Sequence, residues 1–257
     1  MGIFRRKKSD AGKNDRPKLN IKWNAIDGLI SIGVLIVLLV GIYFGTLKLL
    51  DVLNREQLLN ISGIDNLTFS ILYGVQVLLM LGVVWFFAIY WRGASLRDLG
   101  LGYYSIIKTI WYTFISLVFV FFVSFLYAYL MNSIFGIEAP ASKIDELISS
   151  RNVSSNVLLV VTAVVAPFCE EVYFRGFLYS AFRKSMGVTT ALFLSSLMFA
   201  LAHLEIYSFI PIMVIGWVLA YIFEKTKSLF TVIFLHAVYN LILILILLGQ
   251  IEMIKMY

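Results

Sequence analysis

Glu170, Glu171 and Arg175 stand in the run Pro167-Phe-Cys-Glu-Glu-Val-Tyr-Phe-Arg-Gly-Phe-Leu, inside a long apolar stretch. A charged side chain at the centre of a membrane helix costs at least about 2.5–3.5 kcal/mol. Such groups persist where they pair, line a cavity or do chemistry. On a helix, Glu171 and Arg175 are four apart and share a face, with the glutamate on the favourable N-terminal side. Glu170 lies about 100° away around the axis. The two carboxylates therefore have different tasks. Arg175 neutralises Glu171, while Glu170 has no partner in its own helix and is free to act as a general base or acid. Pro167 removes a backbone hydrogen bond just upstream and kinks or opens the helix there. A purely structural Glu–Arg clamp is the plainer alternative for this cluster.

Two further sets complete the chemistry. His203 follows Phe199 by one helical turn, and His236 precedes Asn240 by four residues on one face of the last apolar run. A lone helical histidine more often packs than reacts. These are, however, the only two histidines in the chain, and both fall in or at the ends of apolar runs. At about 1.5 Å per residue, Glu170, His203 and His236 lie roughly 17, 23 and 10 Å from the nearest cytoplasmic end. They can meet in one cavity. Glutamate, two histidines and an asparagine together point to hydrolysis. Glu170 takes a proton from water, and a histidine orients that water or protonates the leaving amine. Asn240 and a histidine donate to a developing oxyanion. Glu170, His203 and His236 are also a candidate ligand set for a divalent metal such as zinc, with an open fourth position. The helical His-Glu-x-x-His zinc motif is absent. Metal-free and metal-dependent chemistry both stay open on these residues.

The elements that position these groups follow from composition. Of 257 residues, 61% are hydrophobic and 14% charged. Soluble domains of this size are about half apolar and a quarter charged. The excess lies in blocks at 26–47, 67–91, 109–132, 156–181, 188–204, 208–223 and 229–249. About 20 helical residues cross the hydrocarbon layer, and most blocks meet that length. The fifth and sixth are short. Backbone polar groups in lipid must be satisfied internally, and these runs are too continuous for barrel strands. The expected fold is an all-α polytopic bundle of about seven transmembrane helices, within a range of six to eight. No internal repeat or low-complexity tract is evident.

The net charge of +6 is concentrated before the first block, from Arg5 to Lys22. This fits a cytoplasmic basic tail that also touches anionic lipid, and not nucleic-acid binding. The first block is longer than a signal-peptide core and has no obvious small-residue cleavage site, so a retained span is expected. Alternating the spans places 92–108, 182–187 and 224–228 inside. The segments 48–66, 133–155 and His203–Tyr207 then lie outside, and the inside loops are richer in Lys and Arg. Four parts result: a basic tail (1–24), N-terminal spans (25–132), an extracytoplasmic loop (133–155) and a catalytic core (156–250). The single cysteine, Cys169, allows no intramolecular disulfide and is read as a buried thiol.

The ordered set Glu170-Glu171-x-x-x-Arg175, Phe199-x-x-x-His203 and His236-x-x-x-Asn240 resembles the CPBP family of intramembrane proteases. That family covers CAAX prenyl proteases and bacteriocin-processing enzymes, also called the Abi family. Gly176, Phe177 and Leu178 extend the first motif, and Leu96-Arg97-Asp98-Leu99-Gly100-Leu101 is similar to a segment upstream of the family core. The resemblance covers residues 155–250, and the N-terminal spans carry little of it. It implies peptide-bond cleavage within or at the edge of the membrane. Glu170 would activate water with help from His203, while His236 and Asn240 form an oxyanion site. Glu171, Arg175 and Phe199 would support them. It leaves the metal question open, and it implies a membrane-associated or lipidated peptide as substrate; the expected location is a bacterial plasma membrane with the N-terminus in the cytoplasm. The competing readings are a non-catalytic immunity or signalling scaffold that retains the polar cavity, and a transporter. The lack of repeat symmetry weighs against the transporter.

Overall fold

The computed structural model describes residues 19–55, 66–102, 104–140 and 154–256. Among them it holds no strand. Helix α1 is Ala25–Arg55. Helix α2 is Asn66–Val84 and runs on through π-helical turns, Trp85–Trp91. Helix α3 is Ile106–Phe135, α4 the composite Ser155–Met186, α5 Val188–Ala202, α6 Phe209–Thr226 and α7 Leu229–Met256. The seven apolar blocks map onto α1–α7 in order. Six of them are long and apolar enough to cross a membrane, and α5, with 15 residues, falls short of that length. The chain is an integral membrane protein built as a helical bundle.

The central helix is α4. Half of its apolar window (50%) is buried within the protein, against 11% for α3. The outward faces of α1, α2 and α3 present Val37, Leu78 and Phe125, as a lipid-facing surface requires. Ser154 starts α4, its side chain accepting from the Val157 amide. Gly187, at φ +88°, turns the chain from α4 into α5, a conformation other residues rarely adopt. At the same end of α4, Glu224 of α6 gathers Tyr179 Oη at 2.6 Å, Arg183 Nε at 3.3 Å and Lys227 Nζ at 2.5 Å. This clamp ties α4 to α6 beside the loop 224–228.

Residues 1–18 of the basic tail lie outside the described residues, as do Asp145 and Glu146 of the expected outer loop. The end of the tail is folded. Trp23 is fully buried, donates from its indole to the Phe177 carbonyl at 2.8 Å and stacks on the Phe177 ring at 5.7 Å. Lys22 donates to the Gly93 carbonyl. Asp27 takes two hydrogen bonds from Arg92, at 2.8 and 3.0 Å. A buried tryptophan and a two-pronged ion pair thus fix the start of α1 against α4 and the end of α2.

Candidate active site

The helix that carries the glutamates is irregular, and Pro167 accounts for part of this. Helix α4 widens into π-helical turns at Val161–Val165 and Val172–Tyr179, on either side of the α-helical segment Ala166–Glu171. In a π-turn a carbonyl bonds the amide five residues on. The Val161 carbonyl does so with the amide of Ala166. The matching partner of Thr162 would be residue 167, a proline without an N–H. The Thr162 carbonyl instead accepts the Asn240 side-chain amide at 2.9 Å. Asn240 on α7 thereby closes the gap that Pro167 opens in α4.

Glu170 and Glu171 end the short α-helical segment, and their surroundings differ. Glu171 is fully buried, and its Oε1 accepts from Arg175 Nη1 at 2.6 Å and from His236 Nδ1 at 2.8 Å. A carboxylate only accepts here, so the hydrogen of His236 sits on Nδ1. Arg175 is also fully buried, donates through Nη2 to the Gly216 carbonyl at 3.1 Å and lies 4.3 Å over the Phe199 ring. The i,i+4 spacing anticipates the Glu171–Arg175 pair. The histidine that completes it comes from α7. Glu170 has a side chain 22% exposed, and its Oε2 has no hydrogen-bond partner. That oxygen lies 3.8 Å from His236 Nε2. His236 therefore stands between the two glutamates, one ring nitrogen toward each.

His203 caps the C-terminus of α5 and is half-buried. Its Nδ1 donates to the Phe199 carbonyl at 2.8 Å, which leaves Nε2 as the nitrogen available to the site. The Phe199 ring meets His203 edge-on at 4.7 Å and His236 at 5.7 Å. One buried phenylalanine thus separates the two histidines and carries the arginine above it. Gly216 permits this. A Cβ there would stand 3.1 Å from Phe199 Cδ1 and 3.3 Å from Ser196 Cα. Gly216 and Thr162 both contribute backbone carbonyls to the site. Sequence reasoning named neither, although Pro167 five residues after Thr162 was a usable signal.

Glu170, His203 and His236 do not come together as a ligand set. Among the described residues no three His, Cys, Asp or Glu side chains are grouped to hold a metal ion. His236 Nδ1 is held by Glu171 and His203 Nδ1 by a carbonyl, which leaves Nε2 of each ring free of that bond.

The fold and this buried polar cluster define a polytopic membrane protein with ionisable groups inside one span. Residues 152–242, which include Glu170, His203, His236 and Asn240, match the family described as Rce1-like, type II CAAX prenyl endopeptidase Rce1-like. The resemblance to the CPBP family holds over that segment. A protein of Bacillus subtilis (strain 168) named "Putative membrane peptidase YdiL" is 24% identical over 101 residues. The match covers 39% of this chain and 40% of that relative. The chain thus matches about two fifths of the relative's length. No solved structure matches the chain.

Proposed function

We propose that the protein is an intramembrane endopeptidase that hydrolyses a peptide bond of a membrane-associated or lipidated peptide. The observation that carries this reading is the contrast between the adjacent glutamates. Glu171 is fully buried and gives its Oε1 to both Arg175 and His236, while Glu170 has a side chain 22% exposed, no ion pair with Arg175, and an unbonded Oε2 3.8 Å from a histidine nitrogen. A purely structural clamp has no use for the second carboxylate, which is the partly exposed one of the two.

In this reading Glu170 takes a proton from water, which attacks the scissile carbonyl. His203 Nε2 orients that water or passes a proton to the leaving amine. Asn240 has a second amide hydrogen beyond the one on Thr162, and it donates toward the oxyanion. His236 Nε2, when it carries a proton, donates to the same charge. Arg175 and Glu171 hold His236 in place. The reading locates the enzyme in a plasma membrane with the site open to substrate from the cytoplasm or laterally.

The test is cleavage of a membrane-anchored fluorogenic peptide by purified protein in proteoliposomes. Wild type releases product and Glu170→Gln does not, and the rate with and without chelator decides between metal-free and metal-dependent turnover. A folded Glu170→Gln that cleaves at the wild-type rate removes the mechanism. A wild-type protein inert toward a broad peptide panel favours the binding scaffold.

A further inference from the structure

We propose that the α5–α6 hairpin is re-entrant: it turns back inside the hydrocarbon layer, and its tip, Leu204 and Ile206, rests on lipid acyl chains. This placement holds whether or not the protein cleaves peptides. Strict alternation of spans would make His203–Tyr207 a loop in water. The exposure of its side chains has the opposite pattern. Leu204 and Ile206 are 81% and 95% exposed, while Glu205 between them is half-buried. A turn in water shows its charge and tucks in its apolar groups. This one withdraws the carboxylate and presents the leucine and the isoleucine, as a lipid environment requires. Leu204 does so at φ +54°, a left-handed conformation that leucine seldom adopts.

The height of the turn agrees. Helix α5 has 15 residues, about 22 Å of helix, against roughly 30 Å of hydrocarbon. Tyr127 of α3 marks where the hairpin stops. Its hydroxyl donates to the Tyr207 carbonyl at 2.8 Å, and its ring meets the Tyr207 ring edge-on at 5.7 Å. From Tyr127, α3 runs on to Phe135, about 12 Å further. Over that length it still presents Tyr129, Ile134 and Phe135 outward. Helix α4 also passes the turn. Phe199, one turn before the end of α5, meets Phe174 of α4 at 5.1 Å, and from Phe174 α4 extends roughly 25 Å to its start at Ser155. Val160 and Val164 on that stretch are exposed. Two neighbouring helices therefore carry apolar, lipid-facing surface past the level at which the hairpin ends. Non-helical backbone at such depth has to satisfy its own polar groups. The amides of His203, Leu204 and Phe209 bond the carbonyls of Ala200, Leu201 and Ile206, and Tyr127 serves Tyr207. His203 thereby sits beneath lipid at that end of the bundle, not beneath an aqueous loop.

The experiment places a nitroxide spin label on the full-length protein in phosphatidylcholine vesicles, at Ile206→Cys and, past the end of α3, at the exposed position Glu138→Cys. Wild type treated with the same reagent is the blank, Cys169 being buried. Power saturation compares collisions with oxygen, which concentrates among acyl chains, and with a water-soluble nickel chelate. At position 206 oxygen should be the stronger relaxant, and at position 138 the nickel chelate. Nickel accessibility at 206 equal to that at 138 overturns the proposal, because the tip then lies in water. Low accessibility to both reagents at 206 also overturns it, because protein, such as a second copy of the chain, then covers the tip. Should Ile206→Cys fail to fold, Leu204→Cys carries the label on the same tip and is read by the same outcomes. Cleavage does not enter the readout, so an inert protein would remove the peptidase reading and leave this result standing.

Discussion

Asn240 donates its side-chain amide to the carbonyl of Thr162, 78 residues away, at 2.9 Å. This oxygen is the one that Pro167, five residues on, has no N–H to serve. The residue placed in the oxyanion site is therefore also a splice in the backbone of α4. Asn240→Ala should lower stability by about 1–3 kcal/mol, the cost of leaving a buried acceptor unpaired. Adding Pro167→Ala restores an amide at position 167 and should recover part of that loss, without recovering activity. Unfolding temperature and turnover, measured on the two single variants and the double, separate the two roles of Asn240. Identical stability in all three would show that the bond is dispensable to the fold.

Removing Glu171 should harm the protein more than removing Glu170. Glu171→Ala leaves Arg175 fully buried without its counter-ion and releases Nδ1 of His236. Breaking a buried pair from one side costs roughly 3–5 kcal/mol. Expression and monodispersity in detergent should fall for Glu171→Ala and stay near wild type for Glu170→Ala. The double change Glu171→Ala with Arg175→Ala should be better tolerated than Glu171→Ala alone. No improvement in the double would mean that Arg175 is held by Phe199 and the Gly216 carbonyl instead.

Charge decides orientation. Arg183, Lys184, Lys225 and Lys227 lie where α4 and α6 end, and the basic tail precedes α1. Short basic segments stay in the cytoplasm. Cysteine substituted for Lys7 or Lys184 should label with an impermeant reagent only after the membrane is opened, Cys169 being buried. Labelling of either position in intact cells would reverse the topology.

What was legible in the chain was what is local or set by the solvent. Lipid dictates long apolar helices, and α1–α7 follow the apolar blocks. The shortness of α5 was visible because fewer than 20 apolar residues precede the polar segment at His203. The Glu171–Arg175 pair was legible because four residues make one turn. His236 on Glu171, across 65 positions, was not, since nothing in the spacing of α7 says which nitrogen of which histidine meets which carboxylate. The regular-helix angle of about 100° between Glu170 and Glu171 also does not carry beyond them, because α4 widens on both sides of the pair. Trp23 shows a tertiary contact overriding a local reading. It follows a polar, basic stretch, yet its indole fits against Phe177.

Gly216 should resist substitution more than any neighbour in α6. It lets α6 approach α5 closely, and its carbonyl holds Arg175. A methyl group there meets Phe199 Cδ1 at 3.1 Å and the backbone of Ser196 at 3.3 Å. The Phe199 ring has little room to retreat. Arg175 lies 4.3 Å over its face, and His203, Phe174 and His236 stand at 4.7, 5.1 and 5.7 Å. The added group must therefore push α5 and α6 apart by a few tenths of an ångström. That lengthens the bond from Arg175 to Gly216 and tilts the ring on which both histidines rest. Overpacking of this kind costs about 1–3 kcal/mol. Gly216→Ala should lower the unfolding temperature and, because catalytic geometry tolerates less displacement than folding does, lower kcat by more than the stability loss alone implies. Phe199→Leu in the same chain makes room and should restore the unfolding temperature in part. It should not restore kcat, since the face under Arg175 and the edge beside both histidines are gone. If Gly216→Ala keeps both stability and turnover, the tight α5–α6 contact is not what orients the histidines.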